Sequence, residues 1–427
     1  MRIIHTSDWH LGQNFYGKSR AREHRAFMDW LLEQIALHKV DALIIAGDVF
    51  DTGTPPSYAR ALYNQFIVQM QQSECQLIIL GGNHDSVSTL SESKELLACL
   101  NARVIPGAFD NISEHVFELN NRQGEVGAIV CALPYLRPRD IVLSQAGQSA
   151  ADKQQQLANA IAALYQDSFV VAQGIQAKQQ APVPIIATGH LTTVGASTSE
   201  SVREIYIGSL DAFNANLFPA ADYIALGHIH RPQKIAKTEH IRYSGSPIPL
   251  SFDELNGDKS VFLVEFDGTS PTVTGLIVPK FQPLAVIKGD LAHIETQINR
   301  LAAEAAADEA IEESGNQLNH NTWLSVEVSE QDYLSDLQTR IGELIDGKPI
   351  EVLQLKRART ARSAQIERID NEILAELSVT EVFERRLAQE EWSTDPQLQT
   401  RGRIKAQFQQ VLANVEESLI QGVEDKA

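Results

Sequence analysis

Apolar runs that end in glycine and pass at once into a polar cluster constrain this chain more than any other feature. Asp41-Ala42-Leu43-Ile44-Ile45-Ala46-Gly47 and Gln76-Leu77-Ile78-Ile79-Leu80-Gly81 read as strands buried on both faces, the pattern of parallel sheets. Between them, residues about 20–38 and 57–72 carry apolar side chains at helical spacing. Strand, helix, strand is the order of an α/β fold, and this rhythm runs to about residue 275.

The polar clusters recur immediately after a strand's carboxyl end, where α/β folds collect their ligands. Five blocks do so: Asp8-Trp9-His10, Gly47-Asp48, Gly82-Asn83-His84-Asp85, Gly189-His190 and Gly227-His228-Ile229-His230. Singly, each has the composition of an ordinary turn; five in the same register do not arise by coincidence. Asp, Asn and neutral His are ligands for divalent metals of borderline hardness, and no thiolate stands among them to select a softer ion. The inventory of Asp8, His10, Asp48, Asn83, His190, His228 and His230 suits two ions that share one carboxylate. His84 is left over beside Asp85, an arrangement that suggests a catalytic imidazole aimed at a scissile phosphate and oriented by the Asp85 carboxylate. Spacing alone stops at metal-assisted phosphoester hydrolysis.

Composition bounds the rest. The 427 residues predict two or three domains with ample core. Cys75, Cys99 and Cys131 sit in no paired spacing, which argues for neither a disulfide framework nor a cysteine zinc site and points to a reducing compartment. No signal-peptide apolar region opens the chain, and no run approaches the roughly 18 apolar residues of a membrane helix, so a cytoplasmic protein is expected. The net charge is −19, and residues 281–427, with 15 Lys and Arg against 27 Asp and Glu, carry −12 of it. That balance argues against gripping nucleic acid by bulk electrostatics. A local basic cluster of Lys18, Arg20, Arg22 and Arg25 could contact a phosphate backbone.

Phe281-Gln282-Pro283-Leu284 marks a boundary after which no further ligand blocks appear. Beyond it an acidic helical segment, the alternating strand Trp323 to Val328, a helix near 331–345 and the strand Ile350 to Leu355 describe a small α+β unit. The tail carries apolar stripes on two short helices, Leu374, Leu377, Val382, Phe383 and Leu387, then Ile404, Phe408, Val411, Leu412 and Val415, divided by Asp395-Pro396. Stripes with little sequence left to cover them seek a partner.

The ordered set D-x-H, G-D, G-N-H-D, G-H and G-H-x-H resembles the calcineurin-like metallophosphoesterase superfamily over roughly residues 1–250. The opening Ile4 to Gly12, the block Ala46 to Asp51 and the segment Gly245 to Phe252 are similar to that superfamily's bacterial nuclease subunits. The resemblance implies an α/β fold, a four-layer metallophosphoesterase β-sandwich flanked by helices, with a small α+β capping domain and a C-terminal helical tail. The expected domains are 1–280, 281–360 and 361–427. It implies that Asp8, His10 and His230 bind one ion, that Asn83, His190 and His228 bind the other, and that Asp48 bridges them. His228 and His230 would then diverge onto different ions, which suits a turn better than a regular strand.

The same resemblance implies that His84 stabilises the phosphoryl charge or protonates the leaving oxygen. It further implies Mn²⁺ as the working ion, with Mg²⁺ possible, and DNA as substrate, through exonuclease action on double-stranded ends and endonuclease action on hairpins and single strands. The implied partner is an SMC-like, ABC-type ATPase docked on the C-terminal helices. ATP dependence would come from that partner, since no G-x-x-x-x-G-K-[ST] occurs in this chain. A homodimer through helices such as 57–72 and 88–100, and a place at the nucleoid, complete the expectation. Asp51 receives no role. The alternative is a phosphoesterase of small nucleotides or phosphoproteins, for which a cap and a docking tail have no evident use.

Overall fold

The computed structural model describes residues 1–109, 111–142, 149–199, 201–202, 210–311, 321–329 and 337–357, and residues 404 and 408. Two six-stranded sheets form its centre. In the first, Arg2–Thr6, Ala42–Ala46, Gln76–Leu80 and Ala102–Ile105 run parallel, and Ser260–Asp267 joins Arg2–Thr6 antiparallel with Ser270–Ile277 on its far edge. In the second, Val126–Cys131, Ile185–His190, Tyr223–Gly227 and Ile241–Tyr243 run parallel, with Val116–Asn120 and Gln233–Lys234 antiparallel on the two edges.

The uninterrupted apolar strands have two buried faces to fill. Along Ala42–Ala46, the side chains of Ala42, Ile44 and Ala46 enter the core between the sheets, where they meet Ala128, Val130, Ile186 and Ala225 of the second sheet. The many alanines on that face let the sheets approach closely. Leu43 and Ile45 point the other way, onto Phe27, Leu31 and Ile35 of the helix Ala21–His38 and Phe66, Ile67 and Met70 of the helix Ser57–Met70. On the opposite side, Leu157, Ile161, Tyr165 and Ala172 of the helix Ala150–Gln176 cover Ile129, Ile185 and Leu226. That helix opens with a capping box in which Ser149 and Asp152 satisfy each other's backbone N–H groups. The result is four layers: helix, sheet, sheet, helix.

His5 lies buried between the sheets, with Nδ1 3.0 Å from the Tyr223 hydroxyl and Nε2 3.2 Å from the Leu226 carbonyl. Burial pushes its pKa down to about 3, so it is a neutral cross-link of the sandwich.

A three-stranded parallel sheet, Leu284–Gly289, Thr322–Val328 and Ile350–Arg357, follows with the helices Leu291–Ile311 and Leu337–Ile345. Ile287, Ile294, Ile298, Leu324, Val326, Leu337, Ile341 and Ile350 form its own core. Trp323 stacks on Phe15 with ring centroids 5.8 Å apart. The chain divides into compact units at residues 358 and 359, and of the second only Ile404 and Phe408 are described, both helical. The rest of the expected tail stripes lie outside the described residues.

Two sequence expectations need revision. Arg20 is buried, donating to Glu23 at 2.5 Å, to the Pro249 carbonyl at 2.7 Å and to Gln13 at 3.2 Å. It therefore ties the first helix to the 249–250 loop and is not available to a phosphate backbone; Arg22 and Arg25 are exposed. The stretch 88–100, expected as one helix, holds two short ones, Val87–Ser91 and Lys94–Ala98, while Ala59, Leu62, Phe66, Ile67 and Met70 of Ser57–Met70 lie in the core and Val68 is exposed. Among the described residues, no helix is long and apolar enough to cross a membrane.

Candidate metal centre

All five polar blocks meet at one end of the sandwich, because the parallel strands of both sheets deliver their carboxyl ends there. Backbone bonds stitch the blocks together before any side chain is considered. Asp8 N donates to the Gly47 carbonyl and His10 N to the Asp48 carbonyl, each at 3.0 Å. His228 N donates to Asp8 Oδ1 and His84 N to Asp48 Oδ1, each at 2.9 Å.

These cross-links hold an unfavourable backbone. Asp8, His10, Asp48 and His228 have φ of 55°, 47°, 50° and 92°, a left-handed region that disfavours residues with a Cβ. Such strain, about 1–3 kcal/mol each, persists only where the surroundings over-determine it, and it concentrates at functional sites. The positive φ of His228 also breaks the strand after Gly227, so His228 and His230 diverge in the way a turn allows. Gly227 itself is required by closeness: a Cβ there would lie 1.9 Å from the Ala46 carbonyl oxygen and 2.8 Å from His190 Nδ1.

The side chains fall into overlapping sets whose donor atoms lie within 4.8 Å of one another: Asp8, His10 and His230; Asp48, His190 and His228; and His10, Asp48 and His84. Asn83 joins the second set, with Oδ1 3.0 Å from His190 Nε2 and 3.1 Å from His228 Nδ1. Asp48 stands between the sets, its Oδ2 3.2 Å from His190 Nε2 and 3.5 Å from His10 Nε2. His84 is close to both, its ring 4.7 Å from that of His10. All seven sequence-derived candidates, and His84, are buried.

A metal fits this arrangement. His10 Nε2 is a buried nitrogen without a hydrogen-bond partner, turned toward a carboxylate at 3.5 Å, and a cation between them would satisfy both. The donors are carboxylate, amide oxygen and imidazole, a set for divalent ions of the first transition row.

Second contacts fix the imidazoles. Nδ1 of His10 faces Asp51 Oδ1 at 3.1 Å, Nδ1 of His190 faces the Ala46 carbonyl at 2.9 Å, and Nδ1 of His230 faces Glu254 Oε1 at 3.1 Å. Each leaves Nε2 turned to the cluster, where it could serve as a ligand nitrogen. Burial pushes the Asp48 carboxyl up, but His190, His84 and His10 outweigh it and hold the group well below the usual carboxylate range. Burial presses His190 down, and Asp48 more than reverses that, lifting it to about 9. Burial keeps His230 below its ordinary value despite Glu254, which suits a neutral ligand.

Asp85 does not act as expected from its place beside His84. Its carboxylate accepts the backbone N–H groups of Gly82, Phe50 and Val49 at 2.8, 2.9 and 3.1 Å, welding the Asp48 and Asn83 turns together. Burial and the neighbouring Asp48 push it up to about 6 all the same. The ring of His84 is oriented by a backbone group, with Nδ1 2.8 Å from the Asp51 carbonyl. A cleft of about 750 Å³ opens beside His84, lined also by Thr52, Ser86, Ser88, Arg137 and Arg139. Sequence reasoning missed Asp51 and Glu254, since neither occupies a metal-ligand block and only the fold brings them to the histidines.

The two-sheet sandwich with divalent-metal donors at its strand ends defines a calcineurin-like phosphoesterase, and the family model of that description matches residues 1–232. A second family model, described as type 5 capsule protein repressor C-terminal domain and labelled for SbcD, matches residues 280–391. The SbcD subunit of the SbcCD nuclease of Escherichia coli strain K12 is 53% identical over 393 residues, covering 92% of this chain and 94% of that protein. The protein of the same name from Rhodobacter capsulatus is 37% identical over 63% of this chain and 67% of its own length, and that from Bacillus subtilis 29% identical over 78% and 81%. The chain belongs to the SbcD family of calcineurin-like phosphoesterases.

Proposed function

We propose that this chain is the nuclease subunit of an SbcCD-type complex and hydrolyses DNA phosphodiesters at a dinuclear centre, as an exonuclease on double-stranded ends and an endonuclease on hairpins and single strands. Asp8, His10 and His230 hold one ion, Asn83, His190 and His228 the other, and Asp48 both. The observation that carries this reading is the place of Asp48 Oδ2, 3.2 Å from His190 Nε2 of one donor set and 3.5 Å from His10 Nε2 of the other, where that His10 nitrogen is buried and has no hydrogen-bond partner. Divalent ions there, Mn²⁺ foremost and Mg²⁺ second, supply phosphate-charge neutralisation and an activated water at neutral pH.

The protein's own part is positioning. Asp51, Ala46 and Glu254 set the histidine tautomers, Asp85 clamps the turns, and His84 donates a hydrogen bond or proton to the phosphoryl or leaving oxygen from the wall of the adjacent cleft. Residues 1–280 form the nuclease domain in this reading, and residues 281–360 a cap that helps select DNA structure. Residues 361–427 dock on an SbcC-like SMC/ABC-type ATPase. The protein works as a homodimer in the cytoplasm, at the nucleoid, in DNA repair, recombination and replication.

The test is hydrolysis of hairpin and linear duplex DNA against p-nitrophenyl esters and phosphopeptides, with Mn²⁺, with and without the ATPase. Mn²⁺-dependent cutting of DNA that the ATPase and ATP stimulate is expected. Turnover confined to the small esters or phosphopeptides would replace this reading with the small-substrate alternative.

A further inference from the structure

Beneath His230 lies a charged pair that the metal chemistry does not itself call for. Glu254 and Lys259 are both buried, and their contact is 2.6 Å between Oε2 and Nζ. Buried ion pairs are seldom a net gain in stability over apolar replacements, so one whose every valence is used has a positioning role to explain it. Here nearly every valence is used. Lys259 Nζ donates to the His230 carbonyl at 2.9 Å and meets Ser246 Oγ at 2.7 Å as well as Glu254. Glu254 Oε2 also accepts Leu250 N at 3.0 Å. Glu254 Oε1 accepts Ser199 Oγ at 2.8 Å, the Ser201 hydroxyl, and His230 Nδ1 at 3.1 Å.

We infer that the Glu254–Lys259 pair is a positioning device for one ion alone: it grips His230 at both its ring and its carbonyl and so fixes the imidazole in the Nδ1–H tautomer, with its Nε2 lone pair held for the ion of Asp8 and His10. His230 Nδ1 lies 2.6 Å from Ser201 Oγ, whose own proton goes to Glu254 Oε1, and 3.1 Å from that carboxylate oxygen, so both partners accept from Nδ1 and the proton sits there. Lys259 holds the same residue's main chain, so ring and backbone are clamped from one side. Among the described residues, no hydrogen bond of the pair reaches Asn83, His190 or His228; His190 Nδ1 faces the Ala46 carbonyl, and His228 N donates to the Asp8 carboxylate. Ser199 and Ser201 bring the segment that follows His190 onto the same carboxylate. The inference rests on His230 being a metal ligand, as proposed above.

The experiment uses the full-length chain stripped of metal, with Mn²⁺ affinity and stoichiometry read by calorimetry and the dinuclear state by electron paramagnetic resonance. Glu254→Gln is expected to weaken one ion by about 10–100-fold, leave the other at wild-type affinity, and convert the coupled two-ion spectrum to a single-ion one at limiting Mn²⁺. Since Glu254→Gln leaves Lys259 buried without its counter-charge, Glu254→Gln/Lys259→Met removes both charges and should show the same selective loss. Retention of both ions at wild-type affinity in either folded variant overturns the inference, as does equal weakening of both ions. Unfolding of both variants would make the pair a folding element and overturn it too. His230→Gln separates the two levels: if it keeps both ions, the ligand assignment fails; if it loses one ion while the Glu254 variants lose none, only the positioning role fails.

Discussion

Gly82→Ala tests whether the centre depends on closeness of packing and not only on ligand identity. Gly82 is absent from the residues of positive φ, so alanine meets no backbone penalty there and the effect is steric. The added Cβ would lie 2.1 Å from Asp48 Oδ1 and 2.3 Å from Asp48 N. Ordinary contact begins near 3.4 Å, so the Asp48 carboxylate or the Gly82 turn must move by roughly 1 Å. Neither moves easily: Asp48 Oδ1 accepts His84 N, and Gly82 N is held by Asp85 at 2.8 Å. Overpacking of this kind destabilises by about 1–3 kcal/mol. The functional loss should be larger in proportion, because metal–ligand distances tolerate only about 0.2 Å and a misplacement of about 1 Å reduces rate about 100-fold. Denaturant unfolding of the metal-free protein, Mn²⁺ titration and a nuclease assay on one preparation measure all three. A folded Gly82→Ala protein that binds two ions with wild-type affinity and cuts at the wild-type rate would refute the claim that Asp48 is held to within a fraction of an ångström.

Three further outcomes are expected. His84→Ala should keep metal content and DNA affinity while the rate falls by about 100-fold or more, since no proposed ligand is removed; loss of an ion, by calorimetry, would make His84 a ligand. His190, pressed down by burial but lifted to about 9 by Asp48, is protonated at pH 7 without metal. Its folded value exceeds the unfolded one of about 6.5, so its contribution to metal-free stability is complete below that pH and is lost as pH rises through about 9. An ion must displace this proton, so apparent affinity should rise with pH up to about 9, with release of about one proton near pH 7 measured by calorimetry in buffers of different ionisation enthalpy. Gly174→Ala, in the helix Ala150–Gln176 where an added Cβ meets nothing within 4 Å, should stabilise by about 0.5–1 kcal/mol in thermal unfolding.

What the sequence made legible follows the reach of local chemistry. The strands announce themselves because each buries two faces, and the ligand blocks because each sits within a few residues of a strand end, so both signals are local in the chain. The assignment of His228 and His230 to different ions rests on the resemblance; what the structure adds is a backbone turn between the strand and the two histidines, with φ of 92° at His228. Arg20 misleads because an arginine in a basic run looks solvated until Glu23 and the Pro249 carbonyl, the latter 229 residues away, are brought to it.

The misassignment of Asp85 has a different origin. Its partners are backbone N–H groups, which nearly every residue possesses, so no pattern of side chains could have marked it. A carboxylate beside a catalytic imidazole invites the idea of a relay, yet the His84 ring takes its orientation from the Asp51 carbonyl, and the Asp51 carboxylate serves His10 instead. One short loop therefore orients both the His84 imidazole beside the cleft and the His10 ring, while Asp85 fastens that loop's root, at Val49 and Phe50, to the Asn83 turn. Moving any of the three would shift the His10 and His84 rings together. The spacing between the His10 and His84 rings is thus set by the backbone of residues 48–51 and 82–85.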